Sequence, residues 1–184
     1  MQSTMMSPIS MLKEDHKKVK GLFSRFEGTE DRDQKQEIFK EIAKELIVHT
    51  KVEEEIFYPE VKKVDSETAA ESYEEHHIVD FILEGMMKTK ADDETYEAKF
   101  MTLKENVTHH IQEEEGKMFP EMQSKLGNMD ELGRRMMERK EELMRDPMKE
   151  WKKKTSGSRS RSSSTASRSR STSRAKTGSS RSRR

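Results

Sequence analysis

Four stretches of this chain carry apolar residues at helical spacing, and on each a histidine stands where a hydrophobe belongs. The first stripe reads Ile9, Leu12, His16, Val19, Phe23 and Phe26; the second reads Ile38, Ile42, Leu46, His49, Glu53 and Phe57. The third runs Ala69, Tyr73, His76, Asp80, Leu83, Met87, and the fourth Tyr96, Phe100, Leu103, Val107, His110, Glu114, Met118. Steps of three and four place each set on one face of an α-helix. Four such faces bury one another in a four-helix bundle. The expected fold is all-α, with a short extra C-terminal helix.

Two stripes also carry a glutamate four residues after the histidine, and the arrangement is duplicated. His49-x3-Glu53-Glu54-Glu55 runs on to Pro59, and His110-x3-Glu114-Glu115 runs on to Pro120, each proline ten residues after its histidine. Asp15-His16 lies upstream of the first and Glu75-His76 upstream of the second. His76 follows His16 by 60 residues, and His110 follows His49 by 61. Residues four apart on a helix share a face, about 6 Å along the axis. Hiding a lone carboxylate from water is costly, so buried charges are paired or bind metal. Four imidazoles and two carboxylates converging in one bundle core compensate each other by holding cations. The expected metal ligands are therefore His16, His49, Glu53, His76, His110 and Glu114.

Blander readings compete at each position. A single histidine on an apolar face is more often a hydrogen-bonded core residue than a ligand. Four at equivalent depth, two with a glutamate one turn on, are not independent coincidences. Glu53 and Glu114 sit in acidic runs, and the phase of the stripes selects them; Glu115 replaces Glu114 if the fourth helix is rotated. His77 and His109 fall one residue off the stripes and read as flanking or surface residues. Asp80 has two readings: a further ligand or acceptor for an imidazole N–H, or a solvent-facing residue with Val79 or Ile82 inside. Methionines 86, 87, 118, 122, 136 and 137 read as core filling rather than a copper site.

Element boundaries follow from punctuation. Ser7-Pro8 starts the first helix, and Gly28-Thr29-Glu30-Asp31 forms a turn. Asp65-Ser66 caps the third, Ala91-Asp92-Asp93 breaks the chain again, and Pro59 and Pro120 stop the second and fourth helices. A further short helix is expected from Asn128 to Arg145, before Pro147. Three parts result: a bundle over 7–122, an accessory helix over 128–146, and a tail over 151–184.

The chain contains no cysteine, which removes disulfides, thiolate ligands and iron–sulfur clusters and leaves nitrogen and oxygen to hold any metal. No run of about 18 apolar residues spans a membrane, and the first residues lack the features of a secretion signal, so a cytoplasmic protein is expected. The zero net charge conceals an acidic body and a basic arm. Residues 151–184 hold twelve Lys/Arg and no acid, leaving 24 basic and 36 acidic residues in 1–150. Ser-Arg dipeptides such as Ser158-Arg159 and Ser167-Arg168 cannot build a core, so the tail is expected to be disordered. It is a candidate for non-specific contact with nucleic acid or an acidic surface; no aromatic follows Trp151 to stack on bases.

The segments Asp15-His16…Gly21-Leu22-Phe23, His49-x3-Glu53-Glu54-Glu55-Ile56-Phe57-Tyr58-Pro59, Glu75-His76 and His110-x3-Glu114-Glu115…Phe119-Pro120 resemble the hemerythrin-like HHE cation-binding family, over about residues 9–145. The resemblance implies an up-down-up-down four-helix bundle holding two Fe ions. It implies His16, His49, His76 and His110 as terminal ligands and Glu53 and Glu114 as bridges. Oxygen-carrying hemerythrins have a His-x3-His pair where this chain has His76-x3-Asp80, and His-x4-Asp where it has His110-x3-Glu114. The more anionic set is closer to bacterial members that handle nitric oxide and peroxide. The function implied is binding or sensing of O2, NO or peroxide. Alternatives are a di-iron redox enzyme of peroxidase, catalase or ferroxidase type, or a nucleic-acid-associated protein with a structural metal. Imidazole and carboxylate donors also suit Mn or Zn.

Overall fold

The computed structural model describes residues 7–126, 129–149 and 151–152, and all regular structure among them is helical. Helix α1 (Pro8–Glu27) is capped by Ser7, whose side chain accepts from the Ser10 N–H at 3.1 Å. Pro8 occupies its first turn, where a missing N–H is harmless. Asp31 caps α2 (Arg32–Val52) through the Gln34 N–H at 2.9 Å. Two helices, α3 (Tyr58–Val64) and α6 (Phe119–Lys125), continue α2 and α5 (Tyr96–Glu113). Asp65 caps α4 (Ser66–Met87) through the Glu67 and Thr68 N–H groups, both at 3.1 Å. The accessory helix is α7 (Asp130–Leu143).

The prolines do not stop the second and fourth helices, contrary to the sequence reading. A π turn, Glu53–Phe57, joins α2 to α3, and another, Glu114–Met118, joins α5 to α6. In these turns the Tyr58 N–H reaches the Glu53 carbonyl and the Phe119 N–H reaches the Glu114 carbonyl, one residue farther than in an α-helix. Each proline then falls in the opening turn of a new α segment, where the lost N–H is not needed. In the widened register Pro59 would have served the Glu54 carbonyl; instead Tyr73 Oη donates to it at 2.9 Å.

The rods α1, α2–α3, α4 and α5–α6 close a bundle: α1 lies on α2 and α5, α4 on α5 and α3. Helix α7 packs across α1, α2 and the first π turn. Two apolar layers enclose a polar one. In the first, Phe26 and Phe100 stack, with Phe23, Phe39 and Tyr96 around them. In the second, Leu12, Phe57, Met118 and Phe119 meet Leu132 and Met136 of α7. Each large side chain buried there contributes about 1.5–3 kcal/mol. Between the layers, every rod delivers a buried histidine.

Helix α4 is turned by one residue from the predicted stripe. Val79 and Met86 are buried, while Asp80 and Met87 are only half-buried. This rotation puts a hydrophobe inside and spares Asp80 the cost of full desolvation. Met86, Met118, Met122 and Met136 fill the core as expected, whereas Met137 is exposed. No helix among the described residues is long and apolar enough to cross a membrane. A second unit comprises Lys149–Arg184. From residue 153 on, the expected disordered arm lies outside the described residues, as does Asn128 at the start of the expected accessory helix.

Candidate metal centre

Each of the four rods contributes one imidazole at the same level, and all four turn Nε2 inward. The Nε2 atoms of His16 and His49 are 3.2 Å apart, as are those of His76 and His110. Glu53 and Glu114 lie between the pairs, fully buried. Glu53 Oε2 is 3.1 Å from His49 Nε2 and 3.4 Å from His76 Nε2. Glu114 Oε2 is 3.2 Å from His16 Nε2 and 3.5 Å from His110 Nε2. Each carboxylate thus spans one histidine from either pair. Two donor groups result, His16–His49–Glu53–Glu114 and Glu53–His76–His110, each with its ligand atoms within 4.8 Å of one another. All six side chains selected from the sequence are brought together.

The outward edges of the rings explain their orientation. His16 Nδ1 faces Glu115 Oε1 at 2.8 Å, His76 Nδ1 faces Glu54 Oε1 at 3.2 Å, and His110 Nδ1 faces Glu75 Oε2 at 2.6 Å. The fourth, His49 Nδ1, is 3.7 Å from Asp15 Oδ2, beyond hydrogen-bonding distance. Asp15 is instead drawn to Lys140 of α7. These carboxylates are arranged in a cycle in which three of the four contacts are bonded: Glu54 serves α4, Glu75 of α4 serves α5 and Glu115 serves α1, while Asp15 of α1 faces His49 of α2 without bonding it. Sequence reasoning missed this cycle except for raising Glu115 in another role. The signal was present: each acid is adjacent in sequence to a selected residue, but it faces the imidazole of the next rod rather than its own.

A carboxylate on Nδ1 keeps the ring proton there, so Nε2 presents a lone pair. In the His76–His110 pair, where both rings have such a carboxylate, the two lone pairs 3.2 Å apart repel unless a cation accepts both. Glu53 Oε1 and Glu114 Oε2 are buried without a hydrogen-bond partner, a costly state that a bound cation relieves. The residues present therefore fit a metal held by nitrogen and oxygen.

Tyr58 was also missed as a site residue. A five-residue step through the π turn carries it back over Glu53. Its hydroxyl donates to Glu114 Oε1 at 2.9 Å and lies 3.0 Å from His76 Nε2. The equivalent position in the second repeat is Phe119, which stacks on His16 with ring centres 5.7 Å apart. One phenol thus breaks the twofold pattern.

Burial pushes the Glu53 carboxyl well above the usual range, and the charge of Glu114 pushes it the same way. Burial acts upward on Glu114 too, but His110, His16 and His49 outweigh it and hold Glu114 down. Burial lowers His49, whereas in His110 the same burial is outweighed by Glu114 and Glu75, and its pKa rises. Burial and then Glu114 raise the Tyr58 phenol well above its ordinary value, so it remains a donor at neutral pH.

On the side away from Tyr58, the imidazoles adjoin a cavity of about 10 Å³ walled by Val19, Leu46, Val79, Val107 and Ile111. The other candidates lie outside the cluster. Asp80 is half-buried, and His77 is exposed beside Glu74 at 3.4 Å. His109 is exposed near Glu75 and Glu113, a third and superficial group.

Comparison with known proteins points the same way. The Hemerythrin HHE cation binding domain matches residues 7–122. The fold is similar to the crystal structure of a hemerythrin HHE cation binding domain-containing protein from Mycobacterium kansasii. The TM-score is 0.68 at 27% identity, over 76% of this chain and 88% of that one. A DNA nickase from Nostoc is 28% identical over 119 residues, 64% of this chain. The match spans only 34% of that relative's length.

Proposed function

The chain belongs to the hemerythrin HHE cation-binding domain family, and on that premise we propose that it holds two iron ions in the bundle core and binds or senses O2, NO or peroxide there. The observation that carries this reading is the sharing of two buried carboxylates between two histidine pairs. His16 and His49 would hold one ion and His76 and His110 the other, with Glu53 and Glu114 available to both. Manganese or zinc would meet the same donors; imidazole with carboxylate and a reactive small ligand favours iron. Bound iron supplies the open coordination positions and redox capacity that such ligands require.

The protein's own groups set the conditions. The carboxylates on Nδ1 orient three imidazoles and raise their basicity as donors. The apolar walls beside the rings leave room for only a small ligand, since a cavity of about 10 Å³ holds roughly one molecule the size of water. The Tyr58 hydroxyl supplies one hydrogen bond on the opposite side, fixing the rotamer of Glu114. In this reading residues 7–122 are the metal-binding unit, 128–146 an accessory helix and 151–184 a basic arm.

Anaerobic purification followed by optical spectroscopy tests the proposal. Iron-loaded protein should show a ligand-to-metal charge-transfer band that azide or nitric oxide perturbs. A loaded protein whose spectrum ignores both would refute it. Turnover of peroxide or Fe(II) would move the reading to a redox enzyme.

The arm supports a second, separable role. Twelve Lys/Arg without an acid over 151–184 favour contact with nucleic-acid phosphates, and one relative's name is that of a DNA nickase. Deleting 152–184 should abolish retention on DNA at low salt; unchanged retention removes the arm from the account.

A further inference from the structure

We infer that the outer face of α4 is a self-association surface that seats the same face of a second copy, antiparallel. Glu71, Glu74, Ile78, Phe81 and Gly85 along α4, and Lys88 at its C-cap, follow one another at steps of three and four, the spacing of a coiled-coil seam. This seam points away from His76, Val79 and Leu83, which face the bundle core. Phe81 is 78% exposed and Ile78 49%, the two most exposed large hydrophobes among the described residues. Neighbouring apolar side chains at seam spacing on a surface helix mark an interaction site rather than scattered exposure.

Charge selects the occupant and its direction. The seam is acidic in its first half and basic at its end. A parallel pair would set Glu71 against Glu71 and Lys88 against Lys88. An antiparallel pair centred between Ile78 and Phe81 sets Ile78 on Phe81 of the second copy, and Glu71 opposite its Lys88. The face is thus complementary to itself under a twofold axis, as an isologous dimer requires. At Gly85 nothing lies within 4 Å of where a Cβ would sit, so the helices can approach closely there. Lys88 now pairs with Glu84 at 2.5 Å and Glu74 with His77 at 3.4 Å, both on exposed helix surface. Such pairs stabilise little and exchange readily. One helix pair buries less than a standard interface of about 1,600 Å², so association in the micromolar rather than nanomolar range is expected.

Analytical ultracentrifugation of the metal-loaded 184-residue chain tests this from about 1 µM to about 1 mM. It should be run in 0.15 M salt and in about 1 M salt, where charges are screened beyond about 3 Å. The wild type should pass from monomer to dimer in both salts. Phe81→Glu should remain monomeric throughout, with unchanged helical circular dichroism and metal content. In 0.15 M salt Glu71→Lys should weaken the dimer several-fold, and adding Lys88→Glu should restore it. A wild type that stays monomeric, or a Phe81→Glu protein that dimerises normally, overturns the proposal. So does a dimer that dissolves in 1 M salt, which would trace to the basic arm on the acidic body. Failure of the charge swap to restore affinity overturns the antiparallel pairing. None of these outcomes depends on what the metal centre binds.

Discussion

If the polar layer exists to hold cations, making Glu53 neutral should stabilise the metal-free bundle while weakening the metal site. Glu53 is fully buried, its Oε1 has no hydrogen-bond partner, and burial followed by the charge of Glu114 raises its carboxyl well above the ordinary value of 4.5. A carboxyl whose folded pKa is raised must take up a proton on folding. That uptake is free below the unfolded pKa and costs about 1.4 kcal/mol for each pH unit above it. At pH 7.5 the upper limit is therefore about 4 kcal/mol. Glu53→Gln keeps the volume and removes this cost, but its amide must find partners among Tyr58 Oη (3.3 Å), His49 Nε2 (3.1 Å) and His76 Nε2 (3.4 Å), all of which face one of its two polar atoms. Discounting about 1–2 kcal/mol for imperfect bonds leaves a net gain of about 2 kcal/mol. For a bundle of this size that is roughly a 5–10 °C rise in Tm. Differential scanning calorimetry of chelator-treated proteins measures it. The gain should grow from pH 5.5 to pH 7.5 and shrink as pH falls toward 4.5. The same variant should retain metal more weakly. A metal-free Glu53→Gln protein no more stable than metal-free wild type, or a gain independent of pH, would refute the reasoning.

Chelation of wild-type protein should lower its Tm, and readdition of metal should restore it; at free metal about 1,000-fold above Kd each site contributes about 4 kcal/mol, read by thermal denaturation. Tyr58→Phe removes one buried hydroxyl without opening a cavity, so a loss of about 1–3 kcal/mol in urea denaturation is expected. It should also change the spectrum of the iron-loaded protein, because Glu114 loses its donor. Lys140→Met should release Asp15 to bond His49 Nδ1, which nitrogen NMR of zinc-loaded protein would register as a stronger Nδ1–H hydrogen bond; an unmoved signal would show that Lys140 does not compete for Asp15.

The stripes made the bundle legible because burial imposes a period on any helix, and a histidine or glutamate in phase with Leu12, Leu46, Leu83 and Leu103 has to go inside. The same phase argument selected Glu53 and Glu114 out of runs of three acids. It failed where the period itself changes. The π turns add a residue to one turn, so Tyr58 returns to the site five residues after Glu53, a step that a 3.6-residue period does not anticipate. Prolines 59 and 120 pointed to those turns but read as stops. Helix α4 left Asp80 open between two readings because Val79 and Asp80 are neighbours and a one-residue rotation exchanges them; the structure takes the one with Val79 inside. The outer carboxylates needed knowledge of which rod stands beside which: Glu75 lies next to His76 in sequence and serves His110 in space. The apolar seam on the outside of α4 escaped notice because the inner stripe already accounted for the helix.

Anaerobic titration of the chelated protein with Fe(II), read as metal bound per folded chain, is the direct test of whether the polar layer holds cations. Saturation is expected at about two ions per chain, with His16→Ala and His76→Ala each lowering that number and His77→Ala leaving it unchanged. Saturation below one ion on an intact bundle, or binding indifferent to His16 and His76, would contradict that expectation.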